Sequence, residues 1–209
     1  FSLTVHGVAA HSSGIFSPDV GDGAIFEMAR ILSAFRTELP EPNLTFNIGV
    51  MAGGATAALA ANESAAAATG KTNVVPAEAV ANGDFRTLSG EQNTRVRTKM
   101  EAIVARHLPK TDAIISYSES YPPMAPTAGN RALLARLNVI NADMGLPAMP
   151  ELDPLQRGAG DISFVSQQVD SLAGLGTAST GDHTAAETVD LRSLRRQAIR
   201  AALLMTRLS

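Results

Sequence analysis

Two hydrophobic periods alternate along the first 117 residues, and this alternation constrains the possible folds more than any other feature of the sequence. Phe1, Leu3 and Val5 are separated by polar residues, which is typical of a strand with one buried face. From Asp22 onward the apolar residues recur at helical spacing, and Asp22 or Asp19 can cap the start of this helix. The chain therefore opens with a strand, and a helix that packs on the strand follows.

The same two patterns continue to residue 117 and predict a complete small domain. Strand-like alternation recurs in residues 44–51, 77–88 and 113–117, and helical spacing recurs in residues 91–107. The predicted order βαββαβ is that of the ferredoxin-like fold, in which two helices cover one face of a four-stranded antiparallel sheet. The other face, or an edge of the sheet, then stays open to a partner.

Residues 55–69 interrupt this order with a segment rich in alanine. Its composition favours helix, but Gly53 and Gly54 precede the segment and Gly70 follows it. We therefore predict a loop insertion that can contain a helical turn.

Three prolines between Tyr121 and Pro126 mark the predicted domain boundary, because proline continues neither a helix nor a central strand. We assign residues 1–120 to the ferredoxin-like domain and residues 121–209 to a second unit. This unit is predicted to contain a helix over 130–144, a short helix after a turn at 157–161, a buried strand over 169–175 and a terminal helix from about Asp190, with leucines along one face. So little sheet cannot bury both faces of the helices, so we expect part of a larger α/β domain.

Composition excludes several classes of function. The formal net charge is −3 and aromatic residues make up 4%, so neither phosphate neutralisation nor base stacking is supported, and we expect no nucleic-acid partner. The longest apolar runs are shorter than a membrane span requires, so we expect a soluble protein with no membrane partner, either cytoplasmic or periplasmic. The chain has no cysteine, which leaves histidine and carboxylates as ligands for any metal. Because Phe1 falls inside a strand pattern, we also expect a piece of a longer protein.

Two histidines lie in segments of small residues. His183 follows Asp182 in a loop before the terminal helix, and His11 lies past the end of the first strand. In one interpretation, a loop histidine of this kind is a surface side chain that forms hydrogen bonds and has no further role. With small neighbours it can also reach a metal or a substrate oxygen.

Four motifs in this order resemble the C-terminal half of the zinc-dependent M20 peptidases, the family of glutamate carboxypeptidase, aminoacylase and succinyl-diaminopimelate desuccinylase. The motifs are Gly7–His11, then Asn73–Pro76 with Asp84–Arg86, then Gly158–Asp161, and finally Gly181–Glu187. The resemblance implies that residues 1–120 form a lid and dimerisation domain and that residues 121–209 complete a catalytic domain. It also implies a homodimer through the lid and two zinc ions in the intact enzyme.

The resemblance assigns roles to both histidines. His183 matches the last metal ligand of the family, and Asp182 or Glu187 is a candidate for holding its second ring nitrogen. His11 matches a histidine that reaches the active site of the neighbouring subunit. There it stabilises the oxyanion formed when metal-bound hydroxide attacks the scissile carbonyl.

The resemblance further implies a set of substrate-binding residues. Asn73 and Arg86 match residues that contact the substrate carboxylate, which suits a guanidinium that binds with two parallel hydrogen bonds and an amide that adds a third donor. Arg86 can equally form a salt bridge with Asp84. Gly158 and Gly160 match a turn that lines the substrate pocket, although an ordinary tight turn requires the same residues. Asp161 is expected to cap the short helix that follows them.

Two departures from the family limit the predicted function. Tyr121 precedes the prolines where glutamate carboxypeptidases carry arginine, so a C-terminal glutamate is not assigned as the substrate. The His-x-Asp segment and the Glu-Glu pair of the family's N-terminal half are absent from this sequence. We therefore predict a fragment of a di-zinc metallopeptidase that cleaves an amide bond next to a substrate carboxylate, as a carboxypeptidase, dipeptidase or N-acyl amino acid hydrolase does, and that is inactive alone. The alternative is a non-catalytic dimerisation or amino-acid-binding module with a ferredoxin-like fold.

Overall fold

The computed structural model describes residues 1–118, 121–182 and 184–208, and the chain divides into two units, Phe1–Pro123 and Met124–Ser209. The elements of the first unit are β1 (Ser2–His6), β2 (Ala10–His11), α1 (Ala24–Glu38), β3 (Thr45–Gly54), β4 (Thr56–Leu59), β5 (Ala66–Thr69), β6 (Val74–Val75), β7 (Glu78–Arg86), α2 (Gly90–Val104) and β8 (Asp112–Ser116).

Four of these strands form one antiparallel sheet in the order β3-β7-β1-β8. β1 pairs with β7 on one side and with β8 on the other, and β7 pairs in turn with β3. α1 connects β1 to β3, and α2 connects β7 to β8. This is the ferredoxin-like arrangement, and the fold class predicted from the alternating periods is confirmed.

Both helices cover the same face of the sheet. Alternate side chains of the strands point to that face. Leu3, Val5 and Ala81 of the sheet are fully buried there. They belong to one apolar core with Met28, Ile31 and Phe35 of α1 and with Val96 and Met100 of α2. Full burial of a side chain such as Leu3 contributes about 1.5–3 kcal/mol relative to exposure, so this core stabilises the unit.

The start of α1 differs from the prediction. Gly23 occupies the cap position with a φ of 78°, and no side chain caps the helix, so neither Asp19 nor Asp22 has the predicted role. A Cβ at Gly23 would lie 2.8 Å from Cγ1 of Val75, so both the positive φ and the close contact require glycine. The helix packs too closely on β6 to leave room for a conventional cap.

Residues 55–69 form a β-hairpin, and the prediction of a loop insertion is wrong. β4 and β5 pair antiparallel, with Thr56 opposite Thr69 and the two hydroxyl oxygens 2.7 Å apart. The helix propensity of alanine is a weak preference that tertiary contacts override.

The hairpin lies on the sheet face opposite the helices. Glu63 in its connecting turn accepts hydrogen bonds from Ser2 Oγ and Asn82 Nδ2, both at 2.8 Å. Ser2 and Asn82 are paired residues of β1 and β7 whose neighbours Leu3 and Ala81 point into the core, so the two polar residues point away from it. The hairpin therefore covers part of the face that the sequence analysis expected to be open.

The second unit contains α3 (Ala128–Asp143), β9 (Ser179–Thr180), β10 (Thr188–Val189) and α4 (Leu191–Leu208), with two short 3-10 turns at Pro154–Gln156 and Asp161–Phe164. Leu137 and Ile140 of α3 pack with Leu204 of α4. The predicted strand over residues 169–175 is wrong, since this segment is irregular in the structure. Ser171 is buried instead and its N–H donates to Asn130 Oδ1 at 2.8 Å, which gives the segment a side-chain partner in place of a strand.

The leucines in the first turn of α4 are exposed. Leu191 is 71% exposed and Leu194 is 50% exposed, whereas Ser193 and Arg200 on the other side of the helix are buried. An apolar helix face of this kind is ordinarily covered by another element of the fold.

Candidate functional site

The two-residue ladder between β2 and β6 brings the backbone of His11 close to that of Asn73, the residue just before β6. β2 pairs with β6 in the register that sets His11 opposite Val74. The Ser12 N–H donates to the Asn73 carbonyl oxygen at 2.9 Å. The side chains of His11 and Asn73 are both exposed, and their backbone segments are neighbours.

Close packing against α1 fixes the position of this ladder. A Cβ at Gly7 would lie 2.7 Å from Ala24 N, the first residue of α1, so a side chain there would displace the helix or the chain that leads to His11. Gly7 N–H also donates to the Ala77 carbonyl at 2.9 Å, and Val75 is buried. Close packing therefore explains why the motif that ends at His11 begins with glycine, at Gly7.

The ring of His11 is held by Ser13. Nδ1 of His11 lies 2.8 Å from Ser13 Oγ and accepts a hydrogen bond from the Ser13 backbone N–H at 3.2 Å. His11 thereby caps a single 3-10 turn, Ser12–Gly14. The sequence analysis gave Ser13 no role, although a side chain that bonds the backbone two residues ahead is a known local motif.

Arg86 lies away from this ladder, at the other end of β7. Asn73 precedes β7 and Arg86 is its last residue, and β7 spans about 26 Å from Glu78 to Arg86 at a rise of about 3.3 Å per residue. Arg86 therefore lies at the end of β7 that is far from the β2–β6 ladder. The Arg86 guanidinium forms an exposed ion pair with Asp84, with Nε 3.4 Å from Oδ2. This is the salt bridge that the sequence analysis gave as the other possible role of Arg86.

Gly158 and Gly160 lie in an extended stretch before the 3-10 turn Asp161–Phe164. A Cβ at either glycine would meet no atom within 4 Å, and neither has a positive φ. Packing and conformation within the described residues therefore do not require glycine at these two positions. Gly160 occupies the cap position without a side-chain hydrogen bond and Asp161 lies within the turn, so the predicted cap by Asp161 is wrong.

His183, the predicted metal ligand, lies outside the described residues. The hairpin around it is described: β9 and β10 pair through Thr180 and Thr188, and Gly181 has a φ of 72° with its Cβ position 2.8 Å from the Ala186 carbonyl oxygen. Asp182 Oδ1 accepts a hydrogen bond from Ser179 Oγ at 2.6 Å. One oxygen of this candidate partner for His183 is thus already engaged.

Glu27 is a buried charge that the sequence analysis did not identify. Its carboxylate has no solvent exposure and accepts two hydrogen bonds from Arg30, at 2.6 and 2.9 Å, and one from the Leu108 N–H at 3.1 Å. Nδ1 of His107 lies 3.6 Å from the same carboxylate. The cluster joins α1 to the segment after α2, so its role is structural.

Glu41 forms a second charged cluster, with α2. Hydrogen bonding from Arg95, with further bonds from Gln92 and Lys99, lowers the pKa of Glu41 to about 2. Arg95 Nη2 lies 2.7 Å and Lys99 Nζ 3.2 Å from the carboxylate oxygens. The carboxylate thus anchors the connection between α1 and β3 to α2.

Within residues 1–118, 121–182 and 184–208, no group of three or more histidine and acidic side chains is arranged to hold a metal ion. In the same ranges, no helix has the length and apolar character needed to cross a membrane.

Residues 1–112 match the peptidase dimerisation domain of the M20 family. The chain belongs to the M20 peptidase family. The matched residues include the whole β2–β6 ladder and all of β7. The resemblance seen in the motifs is therefore confirmed at the level of the family.

Solved structures of M20-like enzymes share the fold of the whole chain. A tripeptidase from Staphylococcus aureus matches with a TM-score of 0.70 and 20% identity, and covers 97% of this chain. Aminopeptidase PepT from Bacillus cereus matches with a TM-score of 0.68 and 18% identity over 97% of the chain. The YXEP protein from Bacillus subtilis, a dinuclear metal-binding M20 peptidase, matches with a TM-score of 0.59 and 18% identity over 97% of the chain.

This M20 chain spans about half the length of those enzymes. The matched regions are 49%, 49% and 47% of the three longer chains, respectively. At identities of 20% or less the likeness concerns the fold. No curated protein matches the sequence.

Proposed function

We propose that the chain is the C-terminal half of an M20 metallopeptidase that hydrolyses an amide bond next to a carboxylate of its substrate, as a carboxypeptidase, dipeptidase or N-acyl amino acid hydrolase does. The observation that carries this proposal is the position of two exposed residues, His11 and Asn73, in neighbouring backbone segments of an M20 dimerisation domain, where β2 pairs with β6 and the Ser12 N–H donates to the Asn73 carbonyl oxygen. Residues 1–120 would be the lid and residues 121–209 the last part of the catalytic domain.

In this proposal, residues outside the chain supply most of the zinc ligands. A catalytic zinc site uses three protein ligands, and the described residues do not form such a set. His183 would add one ligand, so this chain alone is expected to be inactive. When bound in the intact enzyme, the two zinc ions would supply an activated water molecule and polarise the substrate carbonyl.

His11 is proposed to stabilise the oxygen that becomes negatively charged during hydrolysis. Its ring is exposed and is oriented by Ser13, so it is available to the active site of a neighbouring subunit. The Asn73 amide beside it would bind the substrate with a further donor. Donors held in this way contribute about 3–4 kcal/mol to catalysis in measured cases.

The length of β7 determines how Arg86 can take part. Because Arg86 ends β7, a strand of about 26 Å whose other end lies near the ladder, we propose that it acts on the same substrate as His11 and Asn73 only if the two groups come from different subunits. A two-fold dimer satisfies this condition, since each active site can then receive the ladder of one lid and the arginine of the other.

An apolar cluster beside β3 is the proposed dimer surface. It consists of Phe16, Ile25, Phe26 and Met51, which are 63%, 42%, 51% and 59% exposed. The rings of Phe16 and Phe26 are 5.7 Å apart, and Ile25 packs directly over Gly53 of β3. β3 is an edge strand of the main sheet, so its free backbone groups can pair with a second copy while the cluster is buried.

The exposed face of α4 supports the proposal that further chain is required. Leu191, Leu194 and Met205 are at least half exposed, and a stable enzyme would cover such an apolar face. The missing N-terminal half is the proposed cover.

The test is an assay of the intact enzyme, in which this chain is preceded by its N-terminal half. Zinc-loaded enzyme should hydrolyse members of a panel of dipeptides and N-acyl amino acids, lose activity on chelation and regain it with zinc, whereas the 209-residue chain should be inactive. An intact protein that is folded and zinc-loaded, yet cleaves none of the panel, would contradict the proposal. That result would favour the non-catalytic dimerisation or amino-acid-binding module.

A further inference from the structure

We propose that Ser13 fixes the tautomer of His11, so that the neutral imidazole carries its proton on Nε2 and presents that N–H outward. The functional meaning of this inference rests on the proposed role of His11 at an oxyanion. Ser13 acts through His11 and is therefore a positioning residue.

The backbone of Ser13 supplies the evidence. A backbone N–H can only donate a hydrogen bond, and the Ser13 N–H points at Nδ1 of His11 with a separation of 3.2 Å. Nδ1 must therefore offer its lone pair. In a neutral imidazole with a lone pair at Nδ1, the single proton lies on Nε2.

The Ser13 hydroxyl does not oppose this assignment, because it can either donate or accept. Its oxygen lies 2.8 Å from Nδ1, and with Nδ1 unprotonated the hydroxyl donates as well. A proton on Nδ1 would instead face the donating backbone N–H. That arrangement leaves the backbone N–H facing a second proton, whereas in the Nε2–H tautomer the two Ser13 donors share the lone pair of Nδ1.

The assigned tautomer leaves a donor where the proposed chemistry needs one. Among residues 1–118, 121–182 and 184–208, His11 Nε2 has no hydrogen-bond partner, and the ring is exposed. An N–H at Nε2 can donate to an oxygen that gains negative charge, whereas a lone pair there would repel it. The turn that holds the ring thus also selects the nitrogen that donates.

The test is long-range ¹H–¹⁵N NMR of the 209-residue chain labelled with ¹⁵N-histidine, recorded at a pH where the rings are neutral. The chain has four histidines, and the His11→Gln variant identifies the His11 signals. We expect a protonated Nε2 and an unprotonated Nδ1 for His11. A proton on Nδ1 in the wild-type chain would overturn the proposal.

Two variants separate the backbone donor from the hydroxyl. Ser13→Ala keeps the N–H and removes the hydroxyl, so His11 should keep the Nε2–H tautomer. Ser13→Pro removes both, so the His11 signals should move toward those of His6, whose exposed ring at the end of β1 serves as the reference. A tautomer change in Ser13→Ala would show that the hydroxyl dominates and would also overturn the proposal. If Ser13→Pro does not fold, the wild-type and Ser13→Ala spectra are sufficient to test the proposed tautomer of His11.

The spectra do not depend on zinc, substrate or the missing half. The expected tautomer together with an inactive intact enzyme would therefore contradict the proposed function alone. The opposite tautomer in an active enzyme would contradict the role of Ser13 alone.

Discussion

Glu27 is fully buried and pairs with Arg30, whose side chain is 23% exposed, so removing the Glu27 carboxylate should lower the stability of the fold. We expect Glu27→Gln to lower the free energy of unfolding by about 3 kcal/mol, because the Arg30 charge and the Leu108 N–H lose an anionic acceptor inside the protein. Urea denaturation of the 209-residue chain measures the change. The matched control is Glu38→Gln on the same helix, whose pair with Arg106 is about half exposed on both sides and should contribute less than about 1 kcal/mol. Equal losses in the two variants would contradict the prediction.

His11 should matter for turnover and not for folding. In the intact enzyme, His11→Ala is expected to lower kcat by about a hundredfold or more, since it removes one oxyanion donor. The exposed ring contributes little packing, so the circular dichroism spectrum and the urea midpoint should stay unchanged. His6→Ala is the control, because that ring is also exposed and lies in β1, outside the β2–β6 ladder. Turnover within a few-fold of wild type would remove His11 from the mechanism.

Glu41 should make stability depend on pH in acid. Hydrogen bonding from Arg95 lowers its folded-state pKa from 4.5 to about 2, so its stabilising effect is complete above about pH 5 and is lost as the pH falls toward 2. Glu41→Gln should therefore show a smaller fall in the urea midpoint between these two pH values. Arg95→Gln removes the main cause of the lowered pKa of Glu41. This variant should therefore also show a smaller fall in the urea midpoint between the two pH values. A Glu41→Gln variant with the full wild-type slope would contradict the assignment.

At the scale of single residues, the sequence suggested candidate site residues but did not show where they lie. His11 and Asn73 were identified from motifs, and their proximity follows from a ladder too short to give a strand pattern. The distance of Arg86 from this pair follows from the predicted strand 77–88 and could have been calculated. Ser13, Glu27 and Glu41 act through contacts with specific geometry, and periodicity carries no information about them.

At the scale of elements, the β4–β5 hairpin depends on one carboxylate in its turn. Glu63 accepts from Ser2 and Asn82 and has a φ of 56°. Glu63→Asn keeps a residue that tolerates this φ but is too short to reach both partners. We expect amide hydrogen exchange in residues 56–69 to become about tenfold faster while the main sheet keeps its protection.

Ser64→Ala is the matched control for the hairpin, because the Ser64 hydroxyl bonds to Asn62 within the same turn. Exchange in this variant should stay within about twofold of wild type. Equal acceleration in both variants would show that Glu63 does not anchor the hairpin to the sheet.

The elements that the sequence predicted correctly are those with a sustained period. β1, α1, β3, β7, α2 and β8 each carry several residues that fix either a period of two or the helical period. The alanine-rich hairpin lacks such a contrast, because alanine is neither strongly apolar nor polar. The cap of α1 also escaped prediction, since it depends on the approach of Val75 from a distant part of the chain.

At the scale of the whole molecule, the proposed dimer surface can be tested directly. Phe26→Glu should weaken self-association by at least about a hundredfold, because it places a charge in the apolar cluster beside β3. Sedimentation velocity over a range of concentrations measures the effect. Ile114→Glu is the control on β8, the opposite edge of the sheet, where Ile114 is 58% exposed. If only Ile114→Glu causes dissociation, the proposal is contradicted and the dimer surface lies at β8.

The sequence could predict a second, incomplete unit but not its surface. The periodic leucines of α4 indicated an apolar face, and only the structure shows that Ser193 and Arg200 are buried while Leu191 and Leu194 are exposed.

Under the proposed function, the number of residues in β7 would set the spacing between the ends of the substrate-binding lid. Deleting two residues would preserve the alternation of inward and outward side chains, yet would bring Arg86 about 7 Å nearer to Asn73. Substrates of a different length should then be preferred even though every side chain that touches them is retained. In enzymes built this way, insertions and deletions in a central strand would change selectivity as effectively as substitutions in the pocket.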